Sequence, residues 1–214
     1  MRSAPACPLC ENGPVAHFFK DPARTYLRCS FCELIFASDE HHLSPAEEKA
    51  EYDLHENSPD DPGYRAFLNR LLEPLLEFAP PGGRGLDFGC GPGPTLSVML
   101  EEKGFAMELY DPLYAPDRSV LSGPYDFITA TETLEHLKNP RRELELLVSL
   151  LKPGGVLGIM TQLSRGPDAF SAWRYKDDRT HIAFYSEKTM AIIAALFGLE
   201  IVHAGRNEFI FRGT

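Results

Sequence analysis

Short apolar runs alternate with stretches of helical spacing through the second half of the chain. The runs cover residues 84–88, 106–110, 125–130 and 156–161. Their lengths are those of buried strands. Between them, residues 95–103 and 144–151 place apolar side chains on one helical face. Strands that alternate with helices usually form a parallel sheet. The pattern therefore predicts an α/β core over residues 81–214, which closes with a helix capped by Ser186 and two further strands.

Residues 39–80, which precede this core, are predicted to form helices. The sequence Ser-Pro-Ala-Glu at 44–47 is the signature of a capped helix start. Residues 64–78 are amphipathic, and Pro74 is expected to kink or divide that helix. Two prolines and two glycines at 80–83 then break the chain. We therefore predict three segments, at residues 1–38, 39–80 and 81–214, of which the second is a helical lid or linker.

Composition and charge limit the classes of function that the protein can have. The 214 residues are 43% hydrophobic and 24% charged, as in globular proteins. No run of about 18 apolar residues is present, and the opening MRSAPACPLC lacks an apolar signal core. We therefore predict a cytoplasmic protein without a membrane span. The formal net charge of −10 opposes binding to polyanions, which depends on basic surfaces. A small-molecule substrate is favoured over nucleic acid.

Four of the five cysteines form two C-x2-C pairs near the N-terminus. The pairs are Cys7 with Cys10 and Cys29 with Cys32, separated by eighteen residues. This spacing is typical of a tetrahedral zinc site, and four thiolates leave no open position, so the zinc would be structural. We predict a zinc ribbon that turns at Asp21. Glu11 and Glu33 follow the pairs, where such knuckles often have glycine. Two disulfides, disfavoured in a reducing compartment, or a redox C-x-x-C are the alternatives.

The segment GLDFGCGPG at 85–93 joins a strand to a helix through a glycine-rich loop. Such a loop cradles a nucleotide-like cofactor, because a Cβ would hold the ligand away from the backbone. The dinucleotide fingerprint requires glycine where this chain has Pro94. Asp87 would repel a pyrophosphate but suits a cationic ligand such as S-adenosylmethionine. Asp111 lies 20 residues after Gly91, at the end of the second strand, where an acid can accept hydrogen bonds from both ribose hydroxyls.

This D-x-G-x-G-x-G motif resembles the first motif of the class I S-adenosylmethionine-dependent methyltransferases. The resemblance implies a Rossmann-like fold with a mostly parallel seven-stranded sheet whose last strand is antiparallel. Only fourteen residues separate Asp111 from Asp126, which leaves room for a short third strand at 119–121 and no full helix. The predicted cofactor-binding residues are Asp87, Gly89, Cys90, Gly91, Asp111, Pro112 and Thr131.

The sequence YDFITATETLEHLKNP resembles one segment of the ubiquinone-pathway O-methyltransferases and of the small-RNA 2′-O-methyltransferases. If a helix begins at Thr131, then Glu132, Glu135 and His136 share one face and can bind a divalent ion. In the resembling families, this E-x-x-E-H pattern and a later histidine, matched here by His181, hold a metal that engages the acceptor hydroxyls. The resemblance thus implies four catalytic residues and a second divalent ion such as Mg²⁺ or Mn²⁺.

A metal-free interpretation of the same residues is also open. His136 would then stack or hydrogen-bond in the site, while His181 or a nearby tyrosine acts as a base or positions the substrate.

In related methyltransferases a segment before the first motif folds over the cofactor, and Tyr52, His55 and Tyr64 are candidates for such a lid.

The function predicted from the sequence is methyl transfer from S-adenosylmethionine to oxygen on a small molecule. Transfer to carbon or nitrogen is the alternative within the enzyme class, as is an RNA methyltransferase that grips its substrate with the zinc ribbon. A non-catalytic cofactor-binding or partner-binding module is a further alternative. The complete set of cofactor residues argues against that last alternative.

Overall fold

The computed structural model describes residues 6–54 and 57–213, so the candidate lid residue His55 lies outside the described residues. Three strands follow the first cysteine pair and are antiparallel to one another. They are β1 (Val15–Lys20), β2 (Thr25–Cys29) and β3 (Ile35–Ala37). The turn between β1 and β2 forms where a side-chain oxygen of Asp21 accepts from the backbone amides of Ala23 and Arg24, at 2.8 and 2.7 Å. The turn predicted at Asp21 is therefore present.

Two helices lie between these strands and the core. The first, α1 (Pro45–Tyr52), begins at a complete capping box between Ser44 and Glu47, as predicted. The second, α2 (Pro62–Leu75), keeps Pro74 in its last turn and ends one residue later, before the predicted end at residue 78.

The core alternates strands and helices, as the hydrophobic pattern predicts. Its elements are β4 (Arg84–Phe88), α3 (Thr95–Glu101), β5 (Ala106–Tyr110), β6 (Tyr125–Thr131), α4 (Pro140–Ser149), β7 (Leu151–Met160), α5 (Pro167–Ser171), β8 (Ala183–Phe184), α6 (Glu187–Phe197), β9 (Leu199–Ala204) and β10 (Glu208–Gly213). Six of the strands form one sheet in the order β5-β4-β6-β7-β10-β9. Strands β5, β4, β6 and β7 are parallel, whereas β10 is antiparallel to both β7 and β9. The Rossmann-like prediction with an antiparallel last strand is confirmed.

The described part of this sheet has six strands, and the predicted count of seven is wrong. The short third strand predicted at 119–121 is instead a 3-10 helix, Arg118–Ser122. The hydroxyl of Tyr125 donates to the carbonyl of Val120 at 2.6 Å and lies 2.9 Å from a carboxylate oxygen of Glu108. These contacts hold the segment against β5 and the start of β6 without a ladder of backbone hydrogen bonds.

Helices cover both faces of the sheet. Successive residues of β6 point to opposite faces, because side chains alternate along a strand. Phe127 packs in an apolar cluster with α2 and α3, whereas Ile128 packs in a second cluster with α4 and α6. This three-layer arrangement leaves the carboxyl ends of β4, β5, β6 and β7 at one edge, where ligands bind in open α/β sheets.

The N-terminal strands join the core through β8. Strand β8 pairs with β3 and completes a four-stranded antiparallel sheet in the order β1-β2-β3-β8. Since β8 follows the long segment after β7, the cysteine-bearing strands lie beside the carboxyl edge of the main sheet. The four cysteines belong to the same apolar cluster as Leu134 and Tyr185 of the core.

Candidate active site

The glycine loop after β4 is tightly packed at Gly89 and open at Gly91. Gly89 and Gly91 have φ values of +74° and +63°, which glycine adopts without strain. A Cβ on Gly89 would lie 2.3 Å from the side chain of Thr133. A Cβ on Gly91 would meet nothing within 4 Å. The loop is therefore fixed by Thr133 on one side and presents the backbone of Gly91 to open space on the other.

The predicted ribose-binding acid contacts this loop directly. One carboxylate oxygen of Asp111 accepts from the backbone amide of Gly91 at 3.1 Å. The other accepts from the amides of Leu113 at 2.8 Å and Tyr114 at 3.1 Å. Pro112 lies exposed in the same turn. The carboxylate of Asp111 thus ties the loop after β4 to the turn after β5, and the residue is buried there.

Asp87, by contrast, is buried within the sheet. Its two oxygens accept from the hydroxyls of Thr129 at 2.9 Å and Ser97 at 3.1 Å. Burial raises the pKa of Asp87 to about 6. Cys90 in the loop is half-buried, and burial raises its pKa to about 12, so its thiol is neutral at pH 7.

The chain beyond β6 does not form the predicted helix at Thr131. Strand β6 includes Thr131, and the amide of Glu132 still donates to the carbonyl of Met160 on β7, at 2.8 Å. Glu132 then adopts a φ of +48°, and a 3-10 helix follows at Leu134–His136. The hydroxyl of Thr133 bonds the carbonyl of Thr131 at 3.0 Å, which fixes this sharp turn.

Three of the four predicted catalytic residues nevertheless converge. Ligand atoms of Glu135, His136 and His181 all lie within 4.8 Å of one another. Glu132 is outside this group and is joined to it by Tyr175, whose hydroxyl donates to Glu135 and lies 3.2 Å from Glu132. Convergence depends on the fold and not on one helical face, because His181 comes from the segment after β7.

Backbone carbonyls orient both histidines. Nδ1 of His136 lies 3.1 Å from the carbonyl of Thr180, and Nδ1 of His181 lies 2.6 Å from the carbonyl of Tyr175. A carbonyl only accepts, so in each neutral ring Nδ1 carries the proton and Nε2 the lone pair. Metal-binding histidines are commonly oriented by such a second hydrogen bond. The donor set therefore fits a divalent cation, and it equally fits a neutral imidazole base.

Burial also sets the protonation of the cluster. It raises the pKa of Glu132 to about 8, with a further contribution from the nearby charge of Glu135. Burial raises the pKa of Glu135 as well, and it lowers that of His181. At pH 7 the cluster therefore retains a carboxyl proton beside a neutral imidazole. One oxygen of Glu132 is buried without a hydrogen-bond partner among the described residues.

Sequence reasoning considered a tyrosine near His181, and Tyr175 contacts that histidine, whereas Thr161 was not singled out. The hydroxyl of Thr161 donates to Glu135 at 2.8 Å and lies 3.2 Å from the hydroxyl of Tyr175. The position of Thr161, just after a central parallel strand, was the available signal. Tyr175 has no comparable local signal, since it lies in a long segment of mixed polarity.

Two candidate lid residues lie against the site. The rings of Tyr52 and His136 meet edge to face, with centroids 5.2 Å apart. Burial raises the pKa of Tyr64 to about 12, with contributions from the charges of Asp87 and Glu132. Asn57 covers the loop from the same side, because its carbonyl would lie 1.9 Å from a Cβ on Gly93.

The four N-terminal cysteines meet at one point. Their sulfur atoms all lie within 4.8 Å of one another, and Cys7–Cys32 and Cys10–Cys29 are each separated by 3.5 Å. Sulfur atoms around a tetrahedral zinc lie roughly 3.8 Å apart, given Zn–S bonds of about 2.3 Å. The cluster therefore fits zinc, and the separations are far longer than a disulfide bond of about 2.05 Å.

No helix in the described parts of the chain is long and apolar enough to cross a membrane.

Comparison with known structures shows the fold. The 1,6-didemethyltoxoflavin N1-methyltransferase of Burkholderia thailandensis, solved with bound 1,6-didemethyltoxoflavin and S-adenosylhomocysteine, aligns with a TM-score of 0.56 and 17% identity. The alignment covers 93% of this chain and all of that one. A S-adenosylmethionine-dependent methyltransferase of Archaeoglobus fulgidus aligns with a TM-score of 0.53 and 16% identity, over 69% of this chain and 93% of that one.

Sequence comparison shows the family. A ubiquinone biosynthesis O-methyltransferase of Xanthomonas campestris is 33% identical over 139 residues, which cover 54% of this chain and 57% of that protein. The protein of the same name from Pectobacterium atrosepticum is 31% identical over 124 residues, covering 58% and 44%. The chain thus matches about half the length of these relatives. The methyltransferase-domain family matches residues 62–204, which are more than half of the chain. The chain therefore belongs to the methyltransferase-domain family, and its resemblance to the S-adenosylmethionine-dependent methyltransferases is confirmed.

Proposed function

We propose that the protein transfers the methyl group of S-adenosylmethionine to a hydroxyl oxygen of a small molecule. The observation that carries this proposal is the convergence of Glu135, His136 and His181 within 4.8 Å, beside the loop fixed by Thr133. The cofactor half of the site supplies an activated methyl group, and this cluster supplies a place to hold and deprotonate the acceptor.

The glycine loop and Asp111 are proposed to bind the cofactor. Gly91 presents backbone to open space, and the carboxylate of Asp111 stands beside it at 3.1 Å from the Gly91 amide. A carboxylate at this point can accept from the two ribose hydroxyls. The buried carboxyl of Asp87 lies under the loop, where a sulfonium or ammonium above would favour its ionised form.

An oxygen acceptor is favoured by the chemistry of the cluster. A hydroxyl must be oriented and must lose its proton as it attacks the methyl group. A divalent cation held by Glu135, His136 and His181 would lower the pKa of a bound hydroxyl and orient it. One oxygen of Glu132 is buried without a hydrogen-bond partner among the described residues, and the carboxylate can take up the acceptor's proton once it is ionised.

A metal-free site is the second candidate, and one observation favours it. His181 is neutral because burial lowers its pKa, and its Nδ1 proton is engaged by the carbonyl of Tyr175. Its Nε2 lone pair can therefore act as a general base without a cation. In that case Glu132, Glu135 and His136 would only contact the acceptor.

The relatives and the charge support a small acceptor. The similar proteins of Xanthomonas and Pectobacterium are named for O-methylation in ubiquinone biosynthesis. The net charge of −10 disfavours a nucleic-acid acceptor. The cysteine cluster, with four thiolate ligands, is proposed to hold a structural zinc and to take no part in chemistry.

The experiment measures release of S-adenosylhomocysteine with a panel of phenols, catechols, primary amines and short RNAs. Turnover with hydroxyl compounds supports the proposal, and turnover confined to amines or RNA contradicts it. A weak chelator, applied with the zinc content checked afterwards, should abolish turnover, and Mg²⁺ or Mn²⁺ should restore it. His136→Ala should also abolish Mn²⁺ binding, whereas His17→Ala, on the exposed face of β1, should not. Chelator-insensitive turnover that His181→Ala alone abolishes would decide for the metal-free site.

A further inference from the structure

A buried arginine of the cysteine-bearing strands contacts the segment that carries His181. Arg24 is only 7% exposed. It donates to the carbonyl oxygens of His181 at 2.9 Å and Arg179 at 3.4 Å, and also to that of Lys176. All three acceptors lie between Tyr175 and β8. Three hydrogen bonds from one guanidinium thus fix the path of residues 176–181.

This contact spans the two parts of the molecule. Arg24 lies at the turn that leads into β2, in the predicted 1–38 segment, whereas its acceptors follow β7 of the core. Burying a cationic group against neutral carbonyls is costly unless the hydrogen bonds are well made. The neighbouring buried cation, Lys176, has carboxylate partners in Asp177 at 2.6 Å and Asp21 at 3.7 Å. The Arg24 contact therefore determines geometry more than it balances charge.

The segment fixed by Arg24 continues directly into the acceptor cluster. His181 Nδ1 bonds the carbonyl of Tyr175 at 2.6 Å, so the two ends of the segment are tied together. The amide of Ile182 donates to the carbonyl of Glu135, and the amide of Ala37 donates to the carbonyl of Ile182, both at 2.8 Å. The backbone at 181–182 thus lies between β3 and the carboxylate-bearing turn after β6.

Aromatic side chains also join the segment after β7 to the cysteine-bearing strands. Phe170, in α5, meets Tyr26 of β2 and Phe18 of β1 edge to face, with ring centroids 5.1 and 5.3 Å apart. Trp173 packs against Phe170 and stacks on Tyr175 at 5.1 Å. The whole stretch from α5 to β8 therefore rests on the sheet that the cysteines anchor.

We infer that Arg24 is a positioning residue for methyl transfer, which sets Tyr175 and His181 against Glu135 from the cysteine-anchored sheet. The inference rests on the proposed acceptor site. The proposed cofactor-binding residues, by contrast, are held by contacts that do not involve Arg24. Gly91 and Asp111 bond each other and the turn at Leu113 and Tyr114, all within the core. Disturbing Arg24 should therefore separate the two halves of the site, so that cofactor binding persists while acceptor chemistry fails.

The test compares Arg24→Met with Arg28→Met in the full chain. Arg28 is the matched control, because it lies on β2, four residues after Arg24, and its partner Glu33 belongs to the same cysteine-bearing part of the chain, at 3.1 Å. Both variants lose one positive charge. Arg24→Lys is the conservative variant, since an ammonium keeps the charge but cannot reach three carbonyls in fixed geometry. Zinc content, S-adenosylhomocysteine affinity, turnover and fluorescence are measured for each protein.

Trp173 provides a readout that is independent of the acceptor's identity. It is the only tryptophan in the chain, and it adjoins the segment that Arg24 holds, because its carbonyl accepts from the amide of Lys176 at 3.2 Å and its ring stacks on Tyr175. Arg24→Met should shift its emission to longer wavelength and increase quenching by acrylamide at least twofold. Zinc content and S-adenosylhomocysteine affinity should stay within twofold of the wild type. The kcat should fall at least tenfold, with Arg24→Lys between the two, and Arg28→Met should match the wild type in every measurement.

Two results would overturn the inference. One is fluorescence and turnover in Arg24→Met that equal those of Arg28→Met. The other is a loss of S-adenosylhomocysteine affinity as large as the loss of turnover, which would mark Arg24 as a general stabilising residue. If Arg24→Met loses its zinc, the same comparison is made with Arg24→Lys. If the wild type methylates no hydroxyl compound, the proposed function fails, and the Trp173 measurements still decide whether Arg24 holds the segment.

Discussion

Gly89 and Gly91 have the same left-handed backbone conformation, but a side chain would meet different surroundings at the two positions. Gly89→Ala adds a clash with Thr133 to the cost of a positive φ, so we expect a loss of about 3 kcal/mol of unfolding free energy. Gly91→Ala meets no neighbour and should lose only about 1–2 kcal/mol. Its methyl group, however, enters the space proposed for the cofactor.

Denaturant unfolding and calorimetry with S-adenosylhomocysteine check this pair. Gly91→Ala should fold and lose at least about tenfold in affinity, equivalent to about 1.4 kcal/mol. Wild-type affinity in Gly91→Ala would remove the cofactor from the open side of the loop. A Gly89→Ala protein as stable as Gly91→Ala would contradict the packing against Thr133.

Asp87 should make the stability of the protein depend on pH. Its carboxyl keeps its proton up to pH 6 or so in the native state and only to about 3.8 in the unfolded chain. Between these values the native state binds more protons, so rising pH favours unfolding. We expect the unfolding free energy of the wild type, relative to Asp87→Asn, to fall by up to about 3 kcal/mol from pH 4 to pH 6 and to stay constant above that.

Cofactor binding provides a second check on Asp87. A cationic cofactor favours the ionised carboxylate, so affinity for S-adenosylmethionine should rise as the pH increases through about 6. The rise should be absent in Asp87→Asn and weaker with the uncharged thioether of S-adenosylhomocysteine. Identical pH profiles for the two proteins would show that Asp87 stabilises the sheet without sensing the ligand.

At the level of single residues, the spacing of the cysteines and of the loop glycines predicted most of the site. The C-x2-C pairs and the glycine loop specify short-range geometry that the residue types themselves favour. Glu11 and Glu33 show its limit, because both occupy φ values, +55° and +64°, at which such knuckles often have glycine. The turn geometry persists although the favoured residue is absent, because the two cysteines that precede each glutamate converge with the other pair.

Elements were predictable where one periodicity dominated, and were missed where tertiary contacts decide. The four parallel strands were evident from their apolar runs. The helix expected at Thr131 is absent because the Glu132 amide remains paired with β7. The strand expected at 119–121 is absent because the Tyr125 hydroxyl takes the Val120 carbonyl. Met160 is 28 residues from Glu132, and the Tyr125–Val120 bond, although local, is made by a side chain, so the pattern of apolar residues carries no signal of either contact.

Helix α1 is the element expected to respond to the cofactor. None of its residues is buried, so it should open easily in the free protein. At its end, Asp53 accepts from the hydroxyl of Tyr114 at 2.7 Å, and the amide of Tyr114 is held by Asp111. A ligand on Asp111 should therefore stabilise α1 through this turn. We expect S-adenosylhomocysteine to slow amide hydrogen exchange in peptides covering residues 45–54 by about tenfold or more.

The control for this measurement is α6, which packs against the sheet in the same apolar cluster as α4 and should be unaffected. Tyr114→Phe should bind the ligand but lose most of the added protection, because it removes the hydroxyl that reaches Asp53. Equal exchange at residues 45–54 with and without ligand would contradict a lid role for this helix.

At the scale of the whole molecule, the cysteine cluster is a part of the core. The side-chain hydroxyl of Thr189, in α6, donates to the carbonyl of Cys32 at 2.9 Å, and Arg141 of α4 bonds the carbonyl of Leu9 at 3.4 Å. Sequence composition suggested a boundary at residue 38, because cysteine usage changes there. Composition could not reveal that β8, some 145 residues later, completes the N-terminal sheet.

This integration predicts how the protein responds to loss of zinc. Purified protein should contain about one zinc per chain. Cys32→Ser should lose the metal, whereas Cys90→Ser, the matched change at the fifth cysteine, should keep it. Because the sulfur cluster, β3 and the core share one apolar cluster, Cys32→Ser should lower the midpoint of a single unfolding transition. A chain of residues 39–214 should fail to fold and to bind S-adenosylhomocysteine, since it leaves β8 unpaired. Two separable unfolding transitions, with the later one and ligand affinity unchanged in Cys32→Ser, would instead establish the cysteine segment as an independent domain.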